Sequence, residues 1–387
     1  MYHNNDYFLV VIQFATSKFC IFVPHFGVEL NMSKKYKVID LFSGCGGFSY
    51  GFENAGFDVV LGVDNDKAAL ETFKLNHKNS ETILGDLHLE STLDDIEKAV
   101  SKHKIDIIIA GPPCQGFSLT GSRQADDSRN TLFYSVFKLA KRINPKAIVI
   151  ENVPGLATLY EGRAKEAILE EFDKLGLSKS FEVLYAPDYE VPQIRKRIFF
   201  VGLKEELGTF VFPEKVLNEK NYNTCSIGIS DLPKRENELG DEVDSYSSEP
   251  QTEYQTRMRN GALSLFNHVG TKHSDLVVSV ISQVPEGGNH KDLPPGVGDS
   301  RKFNEAWTRY HSNKPSKTID TGHRNHFHYN LNRVPTVREN ARLQSFPDTF
   351  RFTGNKTQQY RQVGNAVPPL LGFHLANQLL KYLKKKR

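Results

Sequence analysis

The sequence predicts an α/β protein: a Rossmann-like, mostly parallel sheet covered on both faces, joined to a second, irregular domain. Three observations carry that expectation. Between residues 37 and 201, short β-branched apolar runs alternate with stretches of helical periodicity, as in parallel strands linked by crossover helices. One run, Ile105-Asp106-Ile107-Ile108-Ile109-Ala110, is apolar enough to be a strand buried on both sides. Near Lys204 the periodicity stops, and it resumes only at about Arg333.

The elements follow in order. Residues 1–31 lie outside the pattern. Their apolar stretch, 8–23, is broken by Gln13 and Lys18, is short for a membrane span, and follows no basic segment of the kind a signal peptide carries. Met32 is therefore expected to be the start, and nothing functional is assigned before it. Residues 37–42 read as a strand and 43–47 as the turn after it; 59–63 form a second strand and 66–76 a helix with Asp66 as cap. A short strand at 82–84 and a helix near 93–102 precede the 105–110 run. Residues 131–143 have helical spacing through Leu132, Val136, Leu139, Ala140 and Ile143. Then come a strand at 147–150, a helix at 164–175 stopped by Gly176, and strands at 181–185 and 197–203. Residues 204–332 are rich in Asn, Ser, Gly and Pro and too long for a loop, so they are expected to form the second domain. Pattern returns at 335–344, and 368–383 is a closing helix with Leu371, Leu375 and Leu379 on one face. The expected division is 1–31, 32–203, 204–332 and 333–387.

The 387 residues have room for two domains, and 39% hydrophobic with 25% charged residues describes a soluble globular chain rather than a disordered one. A formal net charge of +3 permits a nucleic-acid partner without demanding one. Cys20, Cys45, Cys114 and Cys225 form no CxxC pair, which argues against a disulfide framework or zinc site and points to a reducing cytoplasm.

Function concentrates at strand ends. Gly111-Pro112-Pro113-Cys114-Gln115-Gly116 follows the 105–110 run, so a cysteine braced by two prolines stands where open α/β sheets place their ligand crevice. The glycine-rich Ser43-Gly44-Cys45-Gly46-Gly47 turn lets the backbone approach a ligand, or makes a tight turn without one; it is neither GxGxxG nor a Walker loop. Asp64 and Asp86, after the second and third strands, can accept hydrogen bonds from a nucleoside or cap a turn. Glu151-Asn152-Val153 delivers a carboxyl group beside Cys114, where burial would suit it to act as an acid. In alternation Arg195 and Arg197 point the same way, toward an anionic substrate or toward Glu151.

Six motifs in order, Phe42-Ser-Gly-Cys-Gly-Gly47, Gly111-Pro-Pro-Cys-Gln-Gly-Phe-Ser118, Glu151-Asn-Val153, Gln193-x-Arg195-x-Arg197, Arg338-Glu-x-Ala-Arg-Leu-Gln344 and Gly364-Asn-Ala-Val367, make this chain resemble the DNA (cytosine-5)-methyltransferases of bacterial restriction–modification systems. The resemblance implies S-adenosyl-L-methionine as cofactor. It would be held by Phe42, Ser43, Gly44, Cys45, Gly46 and Gly47, by Asp64 and Asn65 at the ribose, by Asp86, Leu87 and Pro112 near the adenine, and by Asn365 with Val367. Where many relatives carry an aromatic residue this chain has Asn65, and Cys45 fills a variable position. Cys114 would add to carbon 6 of a flipped-out cytosine while Glu151, oriented by Arg195 and accompanied by Arg197, donates to ring nitrogen 3. Gln115, Ser118 and Arg123 would belong to a mobile loop closing on the target. Within the irregular domain Arg309, Lys317, Thr318, His323, Arg324 and Asn325 are candidates for contacting double-stranded DNA. Lys314 and His326 join them; His323, His326 and His328 lack a carboxylate or cysteine to complete a metal site. The implied protein is a cytoplasmic monomer paired functionally with a cognate endonuclease. The alternatives are an RNA (tRNA) cytosine-5 methyltransferase and a catalytically inactive DNA-binding homologue.

Overall fold

The structure, a computed structural model, describes residues 10–14, 17–21, 35–113, 131–159, 161–236, 238–297, 307–322 and 325–384. The chain divides into two compact units, Met1–Lys35 and Tyr36–Arg387. In the first, Val10–Phe14 pairs antiparallel with Ser17–Ile21, Val10 opposite Ile21.

The second unit is built on seven strands: β1 (Lys37–Leu41), β2 (Asp58–Asp64), β3 (Glu81–Leu84), β4 (Ile107–Ala110), β5 (Ala147–Asn152), β6 (Leu177–Tyr185) and β7 (Lys196–Lys204), in the order β3-β2-β1-β4-β5-β7-β6. Neighbours from β3 through β5 are parallel, whereas β7 runs antiparallel to both β5 and β6. That reversal is available because β6 and β7 follow each other with a short connection and no crossover helix.

The buried apolar strand residues divide between two cores. Val38, Ile107, Ile109, Val149, Phe199 and Val201 face one, with Phe48 and Phe52 of α1 (Gly47–Asn54), Leu70 and Phe73 of α2 (Lys67–Asn76), and Leu371, Leu375 and Leu379 of α11 (Pro369–Lys384). Ile39, Ile108, Ile148, Ile150 and Phe200 face the other, with Leu93 and Ile96 of α3 (Glu90–Val100), Val136 and Leu139 of α4 (Thr131–Ile143), and Ile168 and Phe172 of α5 (Arg163–Lys174). Both faces are apolar because both are covered. Helix starts follow the capping chemistry: Asp66 accepts from the amides of Ala68 and Ala69, and Thr336 with Glu339 forms a capping box.

Among the described residues of 205–332 the elements are short: α6 (Cys225–Ile229), α7 (Glu253–Arg259), α8 (Asp275–Ser282), 3-10 turns at Glu205–Leu207 and His290–Asp292, and two-residue strand pairs, Val243–Asp244 with Leu265–Phe266 and Thr308–Arg309 with His326–Phe327. After them come α9 (Val337–Leu343) and α10 (Lys356–Asn365), the second of which carries no pattern marked in the sequence reading.

Candidate active site

The strand order reverses direction between β1 and β4, so the chain leaves these neighbours toward opposite flanks and opens a crevice at their carboxyl ends. Leu41 lies beside Ala110 on one side and Val63 on the other, which brings the turns after β1, β2 and β4 together. In the first turn Phe42 has φ 59, Gly44 φ 52 and Gly46 φ 93, a left-handed path that only glycine takes without strain. Open space lies where a side chain on Gly44 would project. Asp64 fastens this turn: its carboxylate accepts from the amide of Gly44 at 2.7 Å and from that of Asp66 at 2.8 Å. Burial raises its pKa, and those amides pull the other way.

The turn meets the far end of the chain. The carbonyl oxygen of Val367 lies 2.5 Å from the position a Cβ on Gly47 would occupy, so only glycine admits this approach. Cys45 donates its thiol to the carbonyl of Gln362 at 3.6 Å, and burial pushes that thiol up to about 12, which leaves it inert. Ser43 and Val367 are buried; Asn65 and Asn365 are exposed. Asp86 is half-exposed and bonds locally, accepting from the backbone amide and ring nitrogen of His88, while Leu87 is buried.

At the second turn the Asn152 amide donates to the Pro112 carbonyl at 3.0 Å, tying the end of β5 to the Gly111-Pro112-Pro113 segment. Glu151, 8% exposed, lies over that segment, its Oε2 3.5 Å from where a Cβ on Gly111 would stand. Desolvation raises its pKa, and the charges of Arg197 and then Arg195 oppose the rise. The expectation that Arg195 orients Glu151 is corrected here: the ion pair, 2.8 Å from Nε to Oε1, belongs to Arg197. Arg195 instead sends Nη2 to the carbonyls of Gly364 and Ala366, each at 3.0 Å. Register explains the difference. Residue 197 lies in β7 beside the end of β5, whereas 195 precedes β7 and stands next to the 364–366 turn. Cys114, Gln115, Ser118 and Arg123 lie outside the described residues, as do His323 and Arg324.

A second correction concerns Arg309. It is buried, and its guanidinium donates to the carbonyls of Val284, Ile281, His328 and Leu331 and to Asn332 Oδ1, so every N–H is engaged inside the protein rather than offered to a base. Lys317 is exposed. Thr318 gives its hydroxyl to the carbonyl of Ile194 at 2.6 Å, and the Asn325 carbonyl accepts from the amide of Thr308. Thr318 belongs to a segment the sequence reading did not mark as structural: Ser316 pairs with Gln193 in parallel, and the Ile319 amide donates to Gln193 Oε1. The adjacent β-branched residues Thr318 and Ile319 were its one sequence signal. Arg342 joins Asp231, within the irregular region, to Asp348 beyond it.

The model of the family described as C-5 cytosine-specific DNA methylase matches residues 36–381. The Type II methyltransferase M.DdeI of Desulfomicrobium norvegicum is 38% identical over 373 residues, covering 90% of this chain and 89% of the relative. The Type II methyltransferase M1.HphI of Haemophilus parahaemolyticus is 39% identical over 381 residues, covering 96% and 91%. Among solved structures, a DNA modification methyltransferase encoded within an E. coli prophage superposes with a TM-score of 0.75 at 28% identity, covering 91% of this chain and all of that one. The S. pombe Dnmt2 methyltransferase, at 18% identity and a TM-score of 0.56, shares the fold. A family match spanning the whole sheet, both ends of the crevice and the closing helix shows that the chain belongs to the C-5 cytosine-specific DNA methylases and is a DNA (cytosine-5) methyltransferase.

Proposed function

We propose that this enzyme methylates carbon 5 of a cytosine within a short duplex DNA sequence, from S-adenosyl-L-methionine, as the modification partner of a type II restriction endonuclease. The observation that carries the reading is Glu151, held by Arg197 at 2.8 Å and buried over Gly111, which precedes Cys114 by three residues.

The crevice fits the cofactor. The turn leaves room at Gly44, and Asp64 offers a carboxylate already steadied by two amides. Phe42 and Gly44–Gly47 would flank the methionine end, Asp64 would accept from the ribose hydroxyls, Asp86, Leu87 and Pro112 would border the adenine, and Asn365 and Val367 would close the mouth. When bound, S-adenosyl-L-methionine supplies a methyl group on a positive sulfonium, open to capture by a carbon nucleophile.

The chain's residues turn carbon 5 into that nucleophile. The Cys114 thiolate forms a bond to carbon 6, and the carbon 5–carbon 6 π pair shifts into the ring. Glu151, whose pKa burial raises against the opposing charge of Arg197, would donate a proton to nitrogen 3 as the cysteine adds, so that no negative charge is stranded on the ring. Arg197 fixes the carboxyl's direction. Once carbon 5 carries the methyl group, its proton passes to solvent water, the C–H pair re-forms the ring double bond as the carbon 6–sulfur bond breaks and releases the Cys114 thiolate, and Glu151 recovers the nitrogen 3 proton. The cytosine must leave the stack to be reached, at a cost of a few kcal/mol. Gln115, Ser118 and Arg123 would close over it, and the 204–332 region, through Lys317, Thr318, His323, Arg324 and Asn325, would hold and read the duplex.

Bisulfite sequencing of DNA from a host expressing the protein is expected to show 5-methylcytosine in one sequence context. Duplexes carrying 5-fluorocytosine in that context are expected to trap a covalent adduct through Cys114. Glu151→Gln should slow single-turnover methylation at least about 100-fold. Absence of the adduct, or full activity in Cys114→Ser, would overturn the mechanism.

A further inference from the structure

Arg195 and Arg197 sit two residues apart and act on different halves of the crevice. We infer that Arg195 is a positioning residue for the Asn365–Val367 turn, and that through this turn it sets the affinity for the cofactor; the inference rests on the cofactor reading given above.

The carbonyls it grips need a partner. Gly364 and Ala366 lie at the carboxyl end of α10, where carbonyls run out of helical donors and where a cation is favoured by the helix dipole. Arg195, 1% exposed, donates Nη2 to both at 3.0 Å, and Gln344 donates Nε2 to Ala366 at 2.6 Å. Nε and Nη1 of Arg195 have no hydrogen-bond partner among the described residues, so the Nη2 pair is its anchor. The turn is pressed from both sides. A Cβ on Gly364 would collide with the carbonyl of Asp320, and on the other side Val367 O and Ala366 Cβ come within 2.5 and 3.1 Å of where a Cβ on Gly47 would stand. Displacement of the turn therefore passes straight into the glycines that open α1. A lysine is shorter and carries its donors on one tetrahedral nitrogen, so it does not bring the two in-plane Nη2 hydrogens to both carbonyls.

The test uses the full chain, with S-adenosylhomocysteine binding followed by calorimetry and amide hydrogen exchange at residues 361–370 measured without ligand. Arg195→Lys is expected to bind about tenfold more weakly, about 1.4 kcal/mol, with faster exchange in the turn, while a change at the exposed Leu263, Leu263→Ser, keeps wild-type values of both. Because Arg195 is buried, Gln344→Met provides a second probe, expected to move both readouts in the same direction by less. Wild-type affinity and exchange in folded Arg195→Lys, or in Gln344→Met should the lysine variant fail to fold, would overturn the inference. If the wild type binds no S-adenosylhomocysteine, the cofactor reading falls, and the exchange data still decide whether Arg195 anchors the turn.

Discussion

Ile109 in β4 and Arg309 in the irregular region are both buried, and they are held by different means. Ile109 sits in a ladder, opposite Asp40 on one side and Val149 on the other, so its backbone is satisfied by neighbouring strands and its side chain need only be apolar. Around Arg309 the ladder is only two residues long, and the carbonyls of Val284, His328 and Leu331, with that of Ile281, converge on one guanidinium. Arg338 does the same for Phe266, Pro347 and Phe350, and Arg333 for Lys234 and Val334. Buried carbonyls must be paired. Where strands cannot supply the donors, arginines do. An arginine in aperiodic sequence is therefore poor evidence of a DNA contact.

Four substitutions break or sharpen that contrast. Arg309→Met strands the carbonyls of Val284, His328 and Leu331 and should cost on the order of 4 kcal/mol, read from urea unfolding. A variant of wild-type stability that had lost affinity for DNA would instead return Arg309 to base reading. Ile109→Ala leaves every ladder bond in place and opens a cavity, so about 3 kcal/mol should be lost in the same assay. Asp40 is the exception within the sheet: it is 1% exposed, receives the Ser49 hydroxyl at 2.6 Å, and burial pushes its pKa up to about 8. The folded chain holds that proton to about pH 8, whereas the unfolded chain releases it near 3.8, so the stability it contributes is whole below pH 4 and fades as pH rises to 8. Asp40→Asn should therefore gain on the order of 1 kcal/mol at pH 8 and little at pH 4, seen as a flattened pH profile of thermal unfolding. Leu263, 94% exposed, touches too little to matter, and Leu263→Ser should shift stability by less than about 0.5 kcal/mol.

The crevice was legible because its parts sit at strand ends, and strand ends can be found from short β-branched apolar runs. Asp64, Pro112 and Glu151 share the carboxyl edge of the sheet for that reason. The helix α10 escaped notice: its capping box of Asn355 and Gln358 is polar, its apolar face is thin, and no periodicity announces it. Within Gln193-x-Arg195-x-Arg197 alternation is blind to how far along the sheet each arginine reaches. Among the described residues no helix is long and apolar enough to cross a membrane.

By itself the sequence determined the sheet, its two covered faces and the order of the functional segments, because these depend on neighbours one or two turns away along the chain. Only the tertiary structure decided that Arg197 takes Glu151, that Arg195 takes a turn 169 residues further on, and that Arg309 faces inward. Those outcomes turn on which orphan carbonyl or carboxylate a long side chain meets first. That is a matter of distances across the fold, which no local pattern encodes.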